Sequence, residues 1–337
     1  MPLENYAINL DALVTNLGEK CSDPDVKTDI VSKTMYNPKL ENRIQIVEDV
    51  IDEIPIVNAI FSDPLAPLPN ANSITYKEDL VTFDNKTLKT RQIVLATKIT
   101  PRNLLQNYLA LLKRENYKNK ANQKDPFYLP FEDFLINKFT EAAREAMYMK
   151  AVFKGVYNAS GTSSADLFDG YLPKIADAIT AGDITPVTTG AITSTNVLAK
   201  LQLVYDALGD EVKGSGINIH VNSQIFDWLQ RSYSAMGNRS VVIKDVSEAA
   251  LSQPLMAIPL DGTNAIVHRE PGMGTSQRII ATVAGNAHLG FYNNPNDMQF
   301  EIQKFDLQLK MIMTFKAGVE FATLKDSFKN VAVNNQA

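Results

Sequence analysis

The stretch 308–324 restricts the fold more than any other part of this sequence. Its residues alternate strictly between an apolar face and a mixed face. A period of two over more than a dozen residues predicts one strand about 45 Å long, well beyond the usual length of about 5–6 residues. Such a strand favours a thin, extended subunit that covers a surface, rather than a compact domain. The apolar face carries Leu309, Met311, Met313, Phe315, Ala317, Val319 and Phe321.

Composition is that of an ordinary globular protein. Of the 337 residues, 45% are hydrophobic and 21% are charged, and no apolar run reaches the roughly 18 residues of a membrane span. The N-terminal segment lacks the basic region of a secretory signal, and a single cysteine, Cys21, suits a reducing cytoplasm. The net charge of −5 argues against a dedicated nucleic-acid groove, because phosphate binding needs clustered Lys and Arg. A protein of this charge would enclose DNA rather than bind it specifically.

Two helices are predicted before residue 60. One helical face, which is expected to end at Gly18, carries Leu3, Tyr6, Leu10, Leu13 and Leu17. A second helix is predicted at 40–54, between two prolines.

An arm and a hairpin follow. The proline-rich stretch 61–73 cannot continue a helix or enter a central strand, which indicates an extended arm or hinge. Strands predicted at 74–83 and 88–100 would form a hairpin with its turn at 84–87, because Asp and Asn favour turns.

The stretch 131–153 predicts a long amphipathic helix. Its apolar residues recur every three or four positions, acidic residues occupy the first turn, and Gly155 follows the last turn. Such a helix is about 35 Å long. Beyond residue 158 the pattern predicts an α/β mixture. Helices are expected at 166–181, 195–208 and after a cap at Asn222 or Ser223, and strands at 217–221, 240–243, 255–260, 264–269, 277–292 and 298–307.

No residue pattern points to catalysis, a cofactor or a metal. His220, His268 and His288 each lie alone on a predicted strand without metal-ligand spacing, and we expect ordinary buried or surface histidines. Cys21 has no neighbouring cysteine, which favours an unreactive thiol. No phosphate-binding loop, dinucleotide fingerprint or nucleophile elbow occurs. The lysines and tyrosines between 108 and 128 favour contact with an acidic neighbour over a nucleic-acid platform.

The order of the predicted elements resembles the major capsid proteins of tailed bacteriophages, which have the Hong Kong 97 phage capsid fold. In that α+β fold, an N-terminal arm, an E-loop hairpin, a long spine helix, an axial domain and a peripheral domain are combined. The resemblance extends from about residue 55 to 328 and depends on the joint order of several stretches. Those stretches are FEDFLINKFTEAAREAMYMKAVFKG for the spine helix, AITSTNVLAKLQLVYDAL for the axial domain and FEIQKFDLQLKMIMTFKAGVEFATL for the closing peripheral strands.

The resemblance implies a division of the chain into five parts. These are the N-terminal arm at 1–73, the E-loop hairpin at 74–100, the peripheral domain with the spine helix at 101–157, the axial domain at 158–276, and closing long strands with a C-terminal tail at 277–337.

The resemblance also implies a virion structural protein rather than an enzyme. Copies would self-assemble as pentamers and hexamers into an icosahedral shell that encloses packaged double-stranded DNA, in the cytoplasm of the host. Portal and scaffolding proteins are the expected partners, with a decoration protein in some members, and no membrane or cofactor is involved. Because the chain starts at Met1, no cleaved N-terminal segment is expected, and the scaffolding protein would be separate.

Contacts between subunits are expected at the hairpin. The segment 82–98 would lie over an adjacent subunit, and 5–60 would contact neighbours as well. Some members of the family join subunits by a Lys–Asn isopeptide bond beside a catalytic Glu. Here Lys86 or Lys89 with Asn330, Asn334 or Asn335 could supply the pair, but no diagnostic context accompanies them and non-covalent contacts are expected. The candidate contact residues are Asp84, Asn85, Lys86, Lys89, Arg91 and Lys98.

Two alternatives remain open from the sequence. An encapsulin-like nanocompartment shell shares the fold, although the long N-terminal region favours a virus. A soluble α/β enzyme built on 166–292 would be a monomer or small oligomer with a concave pocket. That enzyme leaves the long helix, the charged hairpin and the closing strand without a purpose.

Overall fold

The computed structural model describes residues 10–36, 40, 43–61, 81–100, 131–235, 256–297, 299–306 and 308–336. The helices are α1 Leu10–Ser22, α2 Pro24–Met35, α3 Phe131–Ala146, α4 Tyr171–Ala181, α5 Val197–Asp206, α6 Asp210–Lys213 and α7 Ser223–Ala235. The strands are β1 Gln45–Val47, β2 Glu53–Phe61, β3 Val81–Lys89, β4 Arg91–Ile99, β5 Ile217–Val221, β6 Ala257–Pro259, β7 Ala265–Arg269, β8 Ile280–Val283, β9 Ala287–Tyr292, β10 Phe300–Phe305, β11 Gln308–Phe321 and β12 Val331–Val333.

The long strand predicted at 308–324 is confirmed as β11, which has 14 residues. It forms the centre of a sheet in which β10, β4 and β9 pair with it antiparallel, and β1 extends the sheet parallel to β9. All seven residues of its apolar face are buried, as the alternation predicts. We call this sheet the peripheral sheet.

The first two helices pack on this sheet and on α3. α1 lies against β10 and α2 against α3, and Leu17 and Cys21 are buried between them. The predicted end of the first helix at Gly18 is wrong, since α1 continues to Ser22. A glycine inside a helix costs only about 1 kcal/mol, and burial of apolar side chains on both sides of it outweighs that cost.

The helix predicted at 40–54 is also wrong. That stretch contains β1 and the start of β2, while the helix α2 just before it was not predicted. Asp49 has a φ of 60°, which a helix interior does not allow. Pairing of β1 with β9 and of β2 with β3 overrides the helical periodicity.

The predicted hairpin with a turn at 84–87 is wrong as well. β3 runs straight through these residues and pairs with β2 in an antiparallel ribbon, from Glu53 opposite Lys89 to Phe61 opposite Val81. β4 instead pairs with β11. The change of direction occurs at Thr90, whose backbone N–H donates to the Asp52 carbonyl at 2.8 Å. The predicted strand 74–80 and the arm 62–73 lie outside the described residues.

The helix predicted at 131–153 is confirmed in position. α3 forms its first part, and a π-helical turn, Met147–Ala151, completes it. Met147, Tyr148 and Ala151 are buried within this turn.

A second five-stranded sheet, which we call the axial sheet, has the order β12-β8-β5-β7-β6. The predicted strands at 217–221 and 264–269 and the helix at 195–208 are confirmed, with the helix two residues shorter at each end. Asn222 caps α7, because its side-chain oxygen accepts from the Ile225 N–H at 2.8 Å. The helix predicted at 166–181 is α4, which begins later than predicted, at Tyr171. It ends at Gly182 as predicted, because the φ of 79° there terminates the helix. The predicted strand 240–243 lies outside the described residues.

The single strand predicted at 277–292 is wrong, because the structure divides it. β8 belongs to the axial sheet and β9 to the peripheral sheet, with Gly285 at φ 84° between them. Apolar residues continue on both sides of this corner, so apolar periodicity alone does not reveal it. After β11 the chain returns to the axial sheet as β12, which pairs with β8.

The described residues contain two separate apolar cores. One lies between the peripheral sheet and α1–α4 and extends to β8 and β12 through Ile280, Val331 and Val333. The other lies between the axial sheet, α5 and α7. One face of the central strand β5 belongs to the axial core through Ile217, Ile219 and Val221. The opposite face of β5 is polar and buried, and with neighbouring residues it forms what we call the polar layer. Its members are Asn218, His220, Asn222, His268 and Glu270.

Candidate intersubunit surface

The β2–β3 ribbon has an inner face that is anchored on its own chain. Leu88 is fully buried, and a Cβ added at Gly290 would lie 2.6 Å from its side chain, so Leu88 packs directly on β9. Asp84 is 3% exposed; it accepts from the Thr323 hydroxyl and from the Lys325 ammonium, each at 2.8 Å. The hydrogen bond that the Lys325 ammonium donates to Asp84 raises the pKa of Lys325. Because Asp84 is buried and twice bonded, the root of the ribbon has a fixed position.

The outer face of the ribbon is apolar and exposed. Residues opposite each other in an antiparallel pair share a face, so Pro55, Val57 and Ala59 lie together with Phe83. Val57 is 62% exposed and Phe83 is 61% exposed. Full burial of each of these two side chains would contribute about 1.5–3 kcal/mol. The ribbon therefore presents apolar surface that its own chain leaves uncovered.

The six predicted contact residues lie in three places, two in each. Asp84 and Lys86 lie on the inner face, where Lys86 approaches Asp183 at 3.9 Å. Asn85 and Lys89 lie on the outer face, where Lys89 approaches Glu53 at 3.7 Å. The remaining two, Arg91 and Lys98, are on β4 in the peripheral sheet. The Arg91 guanidinium lies 4.3 Å from the Tyr157 ring, and the Lys98 ammonium lies 4.3 Å from the Phe305 ring.

Sequence reasoning missed Val57 and Phe83. Residues 54–61 are apolar except for Asn58, so no alternation distinguishes the outer face from the inner face. The predicted helix ends at 54 and the predicted proline-rich stretch begins at 61, and no strand is predicted between them.

Glu270 is the carboxylate of the polar layer, and three other side chains bond to it. It is fully buried, and its Oε1 lies 2.8 Å from the Arg43 guanidinium and 2.9 Å from His220 Nδ1. Its Oε2 accepts from the Tyr148 hydroxyl at 2.9 Å. Burial, followed by the charge of Glu270, raises the pKa of Tyr148, so this phenol stays a donor. Glu270 thus connects the N-terminal segment, the π turn and the axial sheet.

The structure brings together two histidines that the sequence placed on separate strands. His220 and His268 are opposite each other on β5 and β7, with ring centroids 5.7 Å apart. His268 Nε2 lies 3.0 Å from the Asn218 side-chain oxygen, and burial lowers the pKa of His268 to about 2. His288 is also buried, and its Nδ1 lies 3.2 Å from the Asn286 carbonyl. All three histidines are buried, and His220 and His268 are neighbours rather than each alone on its strand.

Neither a metal site nor a reactive thiol is evident in the described part of the chain. No group of three or more His, Cys, Asp or Glu side chains there could hold a metal ion. Burial raises the pKa of Cys21 to about 12, so the thiol stays protonated at neutral pH. Asn334, one of the possible isopeptide partners, is buried, and its side-chain oxygen accepts from the Ile279 N–H at 2.8 Å. None of the described helices is long and apolar enough to cross a bilayer.

Comparison with solved structures identifies the architecture. A chain of the satellite phage P4 procapsid superposes with a TM-score of 0.51 and 13% identity, over 99% of this chain and 92% of that chain. This is the Hong Kong 97 phage capsid fold. Capsid chains of an empty GTA particle (TM-score 0.46, 15% identity, 89% of each chain) and of the virus-like particle of Pyrococcus furiosus (TM-score 0.45, 7% identity, 92% and 98%) are also similar. No protein-family model and no curated protein matches the sequence.

α3 and its π turn cover the stretch for which the resemblance implies the spine helix. The described part of the stretch 74–100, for which the resemblance implies the E-loop hairpin, instead contributes β3 to the ribbon with β2 and β4 to the peripheral sheet. The α+β class is as the sequence predicts.

Proposed function

We propose that this protein is a structural shell protein whose copies assemble with one another. The observation that carries the proposal is the ribbon, which is anchored by Asp84 on one face and exposes Val57 and Phe83 on the other. Apolar surface on a fixed, projecting element is typical of a docking surface. A ribbon that lies on the next copy makes a heterologous contact, and such contacts close into rings. The capsid fold supports the same role.

We further propose the virion as the place where this role is performed. Copies would form pentamers and hexamers of an icosahedral capsid that encloses double-stranded DNA, assembled in the host cytoplasm with portal and scaffolding proteins. The net charge of −5 supports enclosure without sequence-specific binding. The division of the chain into arm, spine, axial and peripheral parts belongs to this proposal, with the E-loop reassigned to the β2–β3 ribbon.

Within the proposed shell, the outer-face residues Asn85 and Lys89 would contact a neighbouring copy together with Val57 and Phe83. Asp84 and Lys86 would fix the root of the ribbon, because their described partners lie on their own chain. The helices α1 and α2 pack on their own subunit, so any contact of residues 5–60 with neighbours would use the exposed sides of these helices and the ribbon strand β2.

The ribbon contact is tested by replacing its apolar residues. Wild-type protein should give closed particles in negative-stain microscopy, whereas V57S/F83S should stay as small, folded oligomers, because the docking surface loses its hydrophobic area. Val156→Ser is the matched control, since Val156 is 58% exposed but lies outside the ribbon. Normal particles from V57S/F83S would contradict the ribbon contact. A wild-type chain that is a stable monomer at high dilution would contradict the shell itself.

The contents of particles from the natural source distinguish a capsid from a nanocompartment. Nuclease-treated capsids should have the absorbance ratio of packaged DNA. Particles that contain an enzyme and no DNA would assign the chain to a nanocompartment instead.

A further inference from the structure

A second exposed surface lies at the far end of the peripheral sheet. Lys98 on β4 and Lys310 on β11 are directly opposite each other in the register of the two strands. Their ammonium groups lie 4.3 Å and 4.1 Å from the ring centre of Phe305, which is 46% exposed. We call these three residues the tip patch. It lies near the Gln308 end of β11, whereas the Phe321 end contacts Tyr171 of α4.

Among the described residues, the tip patch is electrostatically incomplete. Like charges directly opposite each other destabilise an antiparallel pair. In the described part of the chain neither Lys98 nor Lys310 forms an ion pair, whereas the neighbouring Lys304 pairs with Asp11 at 2.6 Å. Glu301 is on the same strand as Phe305, but its carboxylate accepts from Gln303. The interaction with the Phe305 ring offsets part of the repulsion but supplies no negative charge.

An unused carboxylate lies beside the patch. Asp306 follows Phe305 at the turn between β10 and β11, is exposed, and has a φ of 54°. Among the described residues it has no cationic partner. The end of the sheet therefore carries two cations around an aromatic ring and, on the adjoining turn, one free anion.

We propose that the tip patch binds the Asp306 carboxylate of a second copy of this chain. This inference rests on the proposed self-assembly and adds a contact that the ribbon does not make. The patch and the carboxylate are different residues at the same tip, so copies that meet tip to tip can each donate a carboxylate and accept another at their own patch. Phe305 excludes water on one side of the ion pair, which strengthens it relative to a fully solvated pair.

A nucleic-acid phosphate is the other anion that two lysines could accept. The patch has only these two free cations, and nucleic-acid grooves need larger clusters of Lys and Arg. Charge complementarity within the chain itself therefore favours a second copy.

Zero-length crosslinking tests the contact without requiring complete shells. Equal amounts of ¹⁵N-labelled and unlabelled wild-type protein are assembled together and treated with a carbodiimide, which joins lysines to carboxylates in direct contact. We expect crosslinked peptides that join Asp306 to Lys98 or Lys310 and contain one labelled and one unlabelled half. Only same-label pairs, or no pairs at these residues, would overturn the proposal.

Charge exchange gives the second test. K98E/K310E and D306K should each raise the protein concentration needed for assembly by about tenfold, which corresponds to about 1.4 kcal/mol. The triple variant K98E/K310E/D306K reverses both partners and should restore most of this loss, with thermal unfolding used to check that every variant is folded. A folded triple variant that assembles no better than K98E/K310E would overturn the pairing. Particles of normal yield that lack only DNA would assign the patch to nucleic acid.

Failure of the tip contact leaves the proposed function intact when wild-type shells still form and depend on Val57 and Phe83. Failure of the proposed function has a different signature, because wild-type protein then forms no shells at all.

Discussion

Glu270 and Arg43 illustrate at the residue scale how a buried charge can be retained. Neither side chain is more than 8% exposed, and their 2.8 Å ion pair is completed by bonds from His220 and Tyr148 to the same carboxylate. Removing one member of such a pair costs more than replacing both, because the remaining charge stays buried without compensation.

The Glu270 pair is therefore expected to show strong coupling. Glu270→Ala should lower the free energy of unfolding by about 3–5 kcal/mol, whereas R43M/E270A should recover part of that loss. Denaturant unfolding of the wild type, both single variants and the double variant measures the coupling energy. Additive effects of the two single substitutions would show that the pair is not coupled.

The buried ring of His268 should make the free energy of unfolding depend on pH. Its pKa is about 2 in the folded protein, against an ordinary value of 6.5, because burial disfavours the charged ring. The unfolded chain takes up a proton below pH 6.5 while the folded chain does not. The contribution of His268 is therefore complete above pH 6.5 and decreases as the pH falls from 6.5 towards 2, by about 2 kcal/mol at pH 5.

His268→Gln provides the matched comparison, because glutamine can still donate to Asn218 but does not titrate. Urea unfolding between pH 5 and 7 should show a smaller loss of stability for this variant than for the wild type. An identical pH slope in the two proteins would rule out His268 as the source.

Close packing between elements depends on Gly318 of β11. A Cβ at this position would lie 2.1 Å from the Lys89 carbonyl oxygen and 3.3 Å from Thr90 Cα, at the junction of β3 and β4. Backbone atoms cannot move aside as a flexible side chain can, so the ribbon reaches the peripheral sheet only because residue 318 has no side chain.

Gly318→Ala should therefore destabilise the protein by about 1–3 kcal/mol through overpacking. Gly18→Ala is the control, because no atom lies within 4 Å of the added Cβ and alanine favours the helix by about 1 kcal/mol. Thermal unfolding should thus shift in opposite directions for the two variants. A Gly318→Ala protein as stable as wild type would show that β3 can shift without cost.

Elements with strong internal periodicity could be predicted from the sequence. β11, α3 and β5 have alternation or helical spacing that tertiary contacts reinforce. The ribbon could not be located in this way, because its polar inner residue Asp84 resembles a turn residue until its partners Thr323 and Lys325 are known. These partners lie about 240 positions away along the chain.

The polar layer was likewise invisible to local patterns. Asn218, His220 and Asn222 alternate with buried aliphatic residues, which suggests a strand with one solvated face. In the folded chain that face is covered, and Glu270 approaches it from the end of β7. Contacts between distant segments of this kind have no local signal.

At the scale of the whole molecule, both apolar cores contribute to stability. Each contains its own buried aliphatic and aromatic side chains, and the polar layer lies on the face of β5 opposite the axial core. Within that layer, side-chain nitrogens of Asn218, His220, Asn222 and His268 are buried without a hydrogen-bond partner.

Polar groups without a partner are where a water molecule costs least to admit, because its hydrogen bonds replace none that the protein already makes. The four unengaged nitrogens therefore make the polar layer the place where solvent would first enter the subunit, while the apolar side chains on either side of it stay dry.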